Sequence, residues 1–321
     1  MADTANPEPL APAASAAGDI RLILNPLTGE YLAQSPGRMS RREGARDCPF
    51  CADLTSGRVP PGTRAWLRPN DFPALRPPVG EAVILIYSAD HTRTFADLAP
   101  EEAELVVDLW RDVYADLAPR YACVMSWETC GAEIGQTQYH PHGQTFGVAV
   151  VPPVIARELA SAEQAAAAGA GCPFCGVLRE EERGPRVVAA TPHWLAFVPP
   201  YARYPYEVHV YARRHVPAID GLERQGAEAR ELAALLPRIV RAYNRVYQAP
   251  MPYMLAVHQL ADARFHLHLE LLPVGRAPGK LKFAASSESA WGFWINDSLP
   301  EIKAGELREA LAADERAGAG A

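Results

Sequence analysis

Cysteine and histidine residues recur along this chain of 321 residues in two series with nearly the same spacing. Each series contains a Cys-x-x-Cys pair, a single histidine and a His-x-His element. The members are Cys48, Cys51, His91, His140 and His142 in the first series, and Cys172, Cys175, His215, His266 and His268 in the second. The first Cys precedes the single histidine by 43 positions in both series, and the His-x-His follows after 49 and 51 positions respectively. A register of this kind indicates an internal duplication.

Two thiolates and two imidazoles form a ligand set that suits tetrahedral zinc, and a Cys-x-x-Cys turn can place both sulfurs on one ion. We therefore predict two sites. The first consists of Cys48, Cys51, His91 and His140, and the second of Cys172, Cys175, His215 and His266. Closed sites with four protein ligands would be structural, contributing free energy to folding without activating water.

A second ligand set competes for the second ion, which would then be zinc or iron. Glu158, His258, His266 and His268 combine one carboxylate with three imidazoles, and this set shares His266 with the cysteine site. Other interpretations also stay open. A Cys pair can be a core or redox feature, or the four thiolates can share one ion.

The run His140-Pro141-His142-Gly143-Gln144 is the most reactive stretch of the sequence. Residues two apart in an extended segment face the same way, so His140 can bind metal while His142 presents a ring nitrogen to a substrate. A neutral imidazole can attack phosphorus covalently. Gly143 is expected to let a phosphate approach the backbone, and Gln144 to donate a hydrogen bond to a phosphoryl oxygen. We predict His142 and Gln144 as the catalytic residues.

The corresponding run of the second series lacks this pattern. His266-Leu267-His268-Leu269-Glu270 has neither the glycine nor the glutamine. We therefore expect the second copy to be a structural repeat.

Strands and helices that could position these residues follow the same order in both halves. Apolar strands over 81–88 and 207–211 lead to His91 and His215, and strands over 145–151 and 266–272 belong to the His-x-His elements. Helical periodicity covers 100–117 and 222–247, and Pro237 should kink or split the second helix. The order predicts an α+β fold in which two tandem histidine-triad-type repeats share a mainly antiparallel sheet with flanking helices.

Domain boundaries follow from the repeat and from composition. We assign 19–160 to a catalytic N-terminal repeat and 161–312 to a C-terminal repeat that is structural and supplies sugar-phosphate contacts. The Ala- and Pro-rich stretch 1–18 is expected to be a disordered tail, and 313–321 a flexible tail.

The charge balance limits the class of partner. A formal charge of -7 argues against nucleic acid or an anionic membrane surface, which both require a basic field. Neither a signal peptide nor a membrane-spanning stretch is visible, so a cytoplasmic enzyme is expected.

Several short motifs together resemble the galactose-1-phosphate uridylyltransferase family, the transferase branch of the histidine triad superfamily, from about Arg21 to Leu311. They occur in family order and are Asn25-Pro-Leu-Thr-Gly29, Cys48-Pro-Phe-Cys51, Asn70-Asp71-Phe72, Asp90-His91, His140-Pro-His-Gly-Gln144, Trp194-Leu-Ala-Phe-Val198 and Gly279-Lys-Leu-Lys-Phe283. Three positions depart from the family pattern: Thr129, Tyr139 and Trp294.

The resemblance implies that His142 accepts a nucleotidyl group and that Gln144 supports the transferred phosphoryl group. It also implies a homodimer in which one chain completes the site of the other. The substrate-binding residues that it implies are Arg38, Arg41, Asn70, Asp71, Phe72, Thr129, Gly135, Thr137, Lys282 and Glu288. Glu158, His258, His266 and His268 match the family's second metal position, whereas Cys172 and Cys175 are more similar to the two-zinc ADP-glucose phosphorylase branch.

The expected reaction exchanges UDP-glucose and galactose 1-phosphate for UDP-galactose and glucose 1-phosphate. A UDP-hexose and a hexose 1-phosphate would be the partners, and zinc the cofactor. The alternatives are a phosphorylase acting on ADP-glucose or another sugar nucleotide, a histidine triad hydrolase and a noncatalytic zinc-stabilised binding protein.

Overall fold

The computed structural model describes residues 20–36 and 48–319 of the chain. The expected disordered tail over 1–18 and the expected substrate-binding residues Arg38 and Arg41 lie outside these ranges. Within the described ranges, no helix combines the length and the apolar character that crossing a membrane requires.

Thirteen strands are present in the described part of the chain, and nine of them form one antiparallel sheet. In chain order they are β1 (Arg21–Leu24), β2 (Tyr31–Gln34), β3 (Trp66–Pro69), β4 (Gly80–Ile86), β5 (Cys123–Cys130), β6 (His142–Val148), β7 (Val187–Ala190), β8 (Trp194–Phe197), β9 (Val208–Ala212), β10 (Tyr253–His258), β11 (His268–Pro273), β12 (Gly275–Ala277) and β13 (Lys280–Leu281). The order in the large sheet is β3-β4-β6-β5-β10-β11-β9-β8-β7. The remaining strands form two hairpins, β1-β2 and β12-β13.

The large sheet has an internal symmetry that follows the duplicated sequence. Strands β3 to β6 come from the first half and β7 to β11 from the second, and the halves join where β5 pairs with β10. In both halves the strand that carries the His-x-His lies between two other strands of its own half. The predicted α+β fold, with two repeats in one mainly antiparallel sheet, is confirmed.

The α-helices cover both faces of the sheet. They are α1 (Pro49–Thr55), α2 (Pro100–Leu117), α3 (Pro153–Ala167), α4 (Pro173–Glu181), α5 (Ala227–Tyr247), α6 (Ser286–Trp291) and α7 (Pro300–Ala319). On one face α2 and α5 pack against each other and against the strands, where Trp110 and Leu236 are fully buried. The apolar spacing that predicted a helix over 100–117 produces this buried stripe.

The opposite face of the sheet is covered less completely. Phe146 of β6 and Ile155 of α3 belong to a second apolar cluster, and Phe50 of α1 packs with Trp66 and Ile86 in a third. The N-terminal residues of α1 and α4 are prolines that follow Cys48 and Cys172 directly, so each Cys-x-x-Cys begins a helix on this outer face.

Two expectations, one for the helix over 222–247 and one for the C-terminal tail, differ from the structure. The helix predicted over 222–247 begins at Ala227, after a short 3-10 turn over Ile219–Gly221, and Pro237 does not split it. The buried face of α5 packs along its whole length, which holds both sides of the proline in one element. The tail 313–321, expected to be flexible, is helical through Ala319, because it continues α7, which packs against α5 through Leu307 and Leu311 and pairs Asp314 with Arg241 and Arg245.

Candidate active site and metal clusters

His142 and Gln144 lie on β6, in the middle of the first half of the sheet. Side chains alternate along the strand, so His142, Gln144 and Phe146 face the thinly covered outer side while Gly143 and Thr145 face the core under α2 and α5. The burial pattern agrees, since His142 and Gln144 are half-buried and their two neighbours are fully buried. The predicted catalytic pair therefore shares one accessible face.

The orientation of the His142 imidazole is set by its own backbone. Nδ1 lies 2.8 Å from the carbonyl oxygen of His140, which can only accept a hydrogen bond. The neutral ring therefore carries its proton on Nδ1 and its lone pair on Nε2. The ring of Phe50 packs against this imidazole at a centroid distance of 5.1 Å. If His142 is the nucleophile, as the sequence predicts, Nε2 is the ring atom that would attack.

Gly143 has a different role from the one expected. A Cβ at this residue would point into the core and lie 1.9 Å from the hydroxyl oxygen of Tyr87. Glycine is required because Tyr87 fills the space behind the strand, and the expectation that Gly143 makes room for a phosphate is wrong in this respect. The spacing of the sequence carries no signal for Tyr87, which is 56 residues away.

The first predicted metal site is assembled as one cluster. The donor atoms of Cys48, Cys51, His91 and His140 all lie within 4.8 Å of one another. The Nδ1 atoms of His91 and His140 both lie 3.5 Å from the sulfur of Cys51. Nε2 of His140 donates to the carbonyl of Ser88 at 2.7 Å, which leaves the Nδ1 lone pair directed at the sulfurs. A backbone acceptor on the remote nitrogen is the usual arrangement of a metal-binding histidine, so these residues fit a zinc ion.

The Cys48 thiol is poised to ionise. Partial burial raises its pKa, but the contact with His140 and hydrogen bonds from backbone amides outweigh burial and lower the pKa to about 6. The thiolate, which is the form that binds metal, is therefore accessible at neutral pH.

The second predicted cluster repeats this geometry. The donor atoms of Cys172, Cys175, His215 and His266 also lie within 4.8 Å of one another. Nε2 of His266 donates to the carbonyl of Ala212 at 2.7 Å, and Nε2 of His215 donates to that of Ala263 at 2.9 Å. The two cysteine pairs thus belong to separate clusters, and the arrangement with four thiolates on one ion is not formed.

The competing ligand set is also assembled, but with a different fourth member. Glu158, His258 and His268 cluster with Glu270, whereas His266 is directed at Cys175. Burial raises the pKa of Glu158, yet the contacts with His258 and His268 outweigh burial and lower it to about 2. The two predicted second sites are therefore neighbours that do not share His266.

Sequence reasoning missed the residues that join this cluster. Glu270 contacts Arg203 and lies 3.4 Å from His209, which in turn lies 2.9 Å from Glu207. Alternation along β9 and β11 is the signal that would have found Glu207, His209 and Glu270, because residues two apart share a face. His209 is buried, with 2% of its surface exposed.

The predicted nucleotide-binding residues after β3 lie close to the catalytic strand. The side chain of Asn70 accepts a hydrogen bond from the backbone amide of Phe72 at 2.9 Å, and Asp71 pairs with Arg68 at 2.9 Å. Arg68 stacks over Phe50, which contacts His142. This turn is thereby connected to the nucleophile by two intermediate side chains.

The remaining predicted binding residues fall into two groups. Thr129 is on β5, next to the residue that pairs with Gly143, and Gly135 and Thr137 follow in the loop before β6. Lys282 and Glu288 lie elsewhere, 3.6 Å from each other, in the C-terminal segment around α6. The segment also contains several exposed aromatic residues, namely Phe283, Trp291 and Phe293.

Comparison with known families agrees with this site. The family model of the galactose-1-phosphate uridyl transferase N-terminal domain matches residues 67–152, and that of the C-terminal domain matches residues 173–274. The first match contains β6 with the predicted catalytic pair, and the second contains both the cysteine and the acidic cluster of the second half apart from Cys172 and Glu158.

Full-length relatives extend the match over most of the chain. Galactose-1-phosphate uridylyltransferase from Thermotoga maritima is 31% identical, covering 90% of this chain and 98% of that protein. The enzyme from Streptomyces lividans is 34% identical over 86% of this chain and 75% of its own length. A solved uridylyltransferase structure superposes with a TM-score of 0.83 at 27% identity, covering 91% of this chain and 99% of that one. The chain therefore belongs to the galactose-1-phosphate uridylyltransferase family.

Proposed function

We propose that the protein exchanges UDP-glucose and galactose 1-phosphate for UDP-galactose and glucose 1-phosphate. The observation that carries the proposal is the state of His142 in a chain of this family. Its backbone bond leaves the Nε2 lone pair on the accessible face of β6, beside the amide of Gln144. A nucleophile and a hydrogen-bond donor on one face are what transfer of a phosphoryl-linked group requires.

The reaction would proceed in two displacements. Nε2 of His142 attacks the α-phosphorus of UDP-glucose, the bond from phosphorus to the bridging oxygen breaks, and glucose 1-phosphate leaves with that electron pair. A phosphate oxygen of galactose 1-phosphate then attacks the same phosphorus and displaces the imidazole. Nδ1–H stays hydrogen-bonded to the His140 carbonyl throughout, which disperses the positive charge on the substituted ring. Gln144 donates to a non-bridging phosphoryl oxygen.

Substrate contacts are proposed for the remaining predicted residues. Asn70, Asp71 and Phe72 would hold the nucleotide next to Phe50, and Thr129, Gly135 and Thr137 would line the path of the phosphates. Arg38 and Arg41 are proposed to contribute positive charge there, and Lys282 and Glu288 to bind the sugar phosphate.

A phosphorylase acting on ADP-glucose is the second candidate. The solved structure of an ADP-glucose phosphorylase from Arabidopsis thaliana shares the fold, with a TM-score of 0.72 at 21% identity. The observation favouring this candidate is the assembled second Cys and His cluster, because its cysteine pair, Cys172 and Cys175, resembles the two-zinc phosphorylase branch. A hydrolase would use the same nucleophile with water as the acceptor.

Mass analysis of products separates these activities. We expect the protein, incubated with UDP-glucose and galactose 1-phosphate, to yield UDP-galactose and glucose 1-phosphate in equal amounts. The matched incubations contain ADP-glucose with inorganic phosphate, and UDP-glucose alone. Turnover of ADP-glucose without any exchange of UDP-sugars would contradict the proposal, as would release of free UMP as the main product from UDP-glucose.

We propose zinc as the ion in both Cys and His clusters, because two thiolates and two neutral imidazoles suit that metal. When bound, it would hold the start of α1 and the start of α4 against the two His-x-His strands. Glu158, His258 and His268, with Glu270, are proposed as a further site for zinc or iron. The cysteines are free thiols in the described structure, which suits the reducing conditions of the cytoplasm, where we place the protein.

We further propose a homodimer in which the C-terminal segment completes the partner's site. Three large aromatic side chains are exposed in the segment that contains Lys282. The exposed fraction is 85% for Trp291, 69% for Phe293 and 67% for Phe283. Exposed apolar clusters of this kind usually mark an interaction surface.

Analytical ultracentrifugation tests the dimer. We expect the wild type to sediment at twice the mass of one chain, and a Trp291→Ser/Phe293→Ser double variant to dissociate with an affinity weakened roughly hundredfold, because two large aromatic contacts are lost. Turnover should fall at concentrations where the variant is monomeric. A variant that remains dimeric and fully active would contradict the proposal.

A further inference from the structure

Behind the catalytic strand lies a group of buried polar side chains that the reaction scheme does not use. Glu128 on β5 pairs directly with Gly143 on β6, so its side chain is on the core face of the sheet, where a Cβ of Gly143 would point. Tyr87, which follows β4, brings its hydroxyl to the same place. Two polar side chains therefore lie on the side of the sheet opposite His142, and the Tyr87 hydroxyl contacts Gly143 from that side.

These groups are held by neighbours on three other elements. Nε1 of Trp110 donates to the Tyr87 hydroxyl at 3.2 Å, and the Tyr253 hydroxyl donates to Oε1 of Glu128 at 2.9 Å. The backbone amide of Tyr87 donates to the carbonyl of Pro141 at 3.0 Å, within the catalytic run itself. Burial raises the pKa of Glu128 to about 8, although the bond from Tyr253 lowers it, so the carboxyl is largely neutral at pH 7.

The arrangement is costly for folding. Glu128 is 3% exposed, and within the described residues its Oε2 has no hydrogen-bond partner. A buried polar atom without a partner destabilises the folded state, because its interaction with water is lost and not replaced. A residue chosen only for stability at this position would be apolar.

The second repeat shows that an apolar solution exists at the same three positions. Val257 pairs with Leu269 in the register that Glu128 and Gly143 occupy in the first repeat. Ala212 donates its backbone amide to the residue before His268, as Tyr87 does to the residue before His142. In this pairing register the core-facing trio Tyr87, Glu128 and Gly143 is replaced by Ala212, Val257 and Leu269. Tyr211, which precedes His215 by four residues as Tyr87 precedes His91, faces the opposite side of the sheet.

The exchange conserves volume while removing every polar atom of the trio. Leucine at the strand position takes space that the tyrosine ring fills in the first repeat. Both versions support the same antiparallel pairing. The same strand pairing forms with either trio, so the fold does not require the polar residues. The repeats also differ in the proposed catalytic pair, which is present on the outer face of the first repeat only, and the polar trio is therefore explained by that pair.

We infer that Tyr87 and Glu128 are positioning residues for nucleotidyl transfer, holding the backbone of Gly143, and with it His142 and Gln144, in the register that in-line attack requires. The inference rests on the proposed function of His142. The Tyr87 hydroxyl is fixed by a hydrogen bond from Trp110. It contacts β6 at Gly143, where no side chain separates it from the backbone. Glu128, whose backbone pairs with Gly143, is tied to β10 by Tyr253, which fixes β5 between the catalytic strand and the second repeat. A displacement of 1 Å at a nucleophile can reduce a rate about a hundredfold.

The decisive variant is Glu128→Val, which installs the residue of the second repeat. We expect kcat to fall roughly tenfold to hundredfold while KM stays within about twofold, because alignment and not binding is lost. The unfolding midpoint should be unchanged or higher, since a buried carboxyl is removed, and metal content should equal that of the wild type. Glu128→Gln, which keeps shape and a neutral polar group, should recover most of the rate.

A matched control and a second variant keep the test decisive. Val257→Ala makes a comparable change at the corresponding position of the second repeat, and should lower stability with kcat within about twofold. Tyr87→Phe removes a single oxygen and leaves the ring in place, so this variant is expected to fold. Its kcat should fall about tenfold. Glu128→Val and Tyr87→Phe with wild-type kcat would overturn the inference, as would rate losses equal to those of Val257→Ala.

The outcome can be separated from a failure of the proposed function. Rates are compared for whichever nucleotide sugar the wild type turns over, so the positioning role is tested even if that substrate is not UDP-glucose. Absence of UDP-sugar exchange in the wild type would count against the proposed function only.

Discussion

His142→Gly is expected to lose nucleotidyl transfer by a factor on the order of 10⁴ or more while keeping its fold and its metal content. The imidazole is the proposed nucleophile, and the glycine that replaces it has no side chain with which to form the covalent intermediate. His140, not His142, faces the cysteine sulfurs, so the first cluster stays intact. Wild-type protein mixed with labelled UDP-glucose alone should retain a uridylyl label, release glucose 1-phosphate and follow ping-pong kinetics, whereas the variant should do none of these.

The label has a chemical signature of its own. A phosphoramidate on imidazole is labile in acid and stable in alkali, so the adduct should survive base and be lost in acid. A labelled adduct on the His142→Gly variant, or wild-type kinetics that require a ternary complex without any adduct, would show that direct transfer or attack by water replaces the covalent route.

The second repeat supplies the matched control. His268 occupies the position of His142, with Nδ1 bonded to the carbonyl of His266 at 2.9 Å, but it is 1% exposed and is followed by Leu269 and Glu270. His268→Asn should therefore retain most of the turnover, with some loss of stability. A folded, metal-loaded His268→Asn protein without activity would instead make the second repeat part of the chemistry.

Cys48→Ser is expected to remove one ion per chain and to lower the melting temperature by about 10 °C or more, because the free energy of metal binding at a structural site is part of the free energy of folding. The three remaining ligands would no longer anchor the start of α1 to His140. Elemental analysis of purified protein and thermal unfolding measure both effects. Stable, active wild-type protein without bound metal would refute the proposed sites.

The two clusters of the second half can be separated in the same measurement. Cys172→Ser and Glu158→Ala each remove a member of one cluster only. Loss of an ion in Cys172→Ser alone supports the four-ligand repeat, and loss in Glu158→Ala alone supports the carboxylate site. If each variant loses one ion, both neighbouring sites bind metal, because the structure gives them no common ligand.

Much of the site was predictable because the determining interactions are local. A Cys-x-x-Cys turn brings two sulfurs together within four residues, and alternation along a strand places His142 and Gln144 on one face, whatever surrounds them. The equal spacing of the two series predicted two repeats in one sheet, and the helix over 100–117 followed from its apolar period.

Other features depend on which strands lie side by side, which spacing along the chain does not encode. The assignment of His266 to the cysteines, and of Glu270 to the acidic cluster, follows from the register of β11 between β9 and β10. The helical C-terminus follows from the packing of α7 against α5, where Leu307 and Leu311 are buried and Asp314 pairs with two arginines about 70 residues away.

The repeat and the residues that can do chemistry were predictable because both rest on residue types at short or regular spacing, and the resemblance of their motifs indicated the family. The reason that Gly143 is a glycine lies in the packing behind the strand. Tyr87 and Glu128 reach that position from two different strands, and the comparison with Ala212 and Val257 needs the register of both repeats. Residues that pack behind a strand are brought there by the fold and can come from any part of the chain. Their contact therefore produces no regular spacing in the sequence.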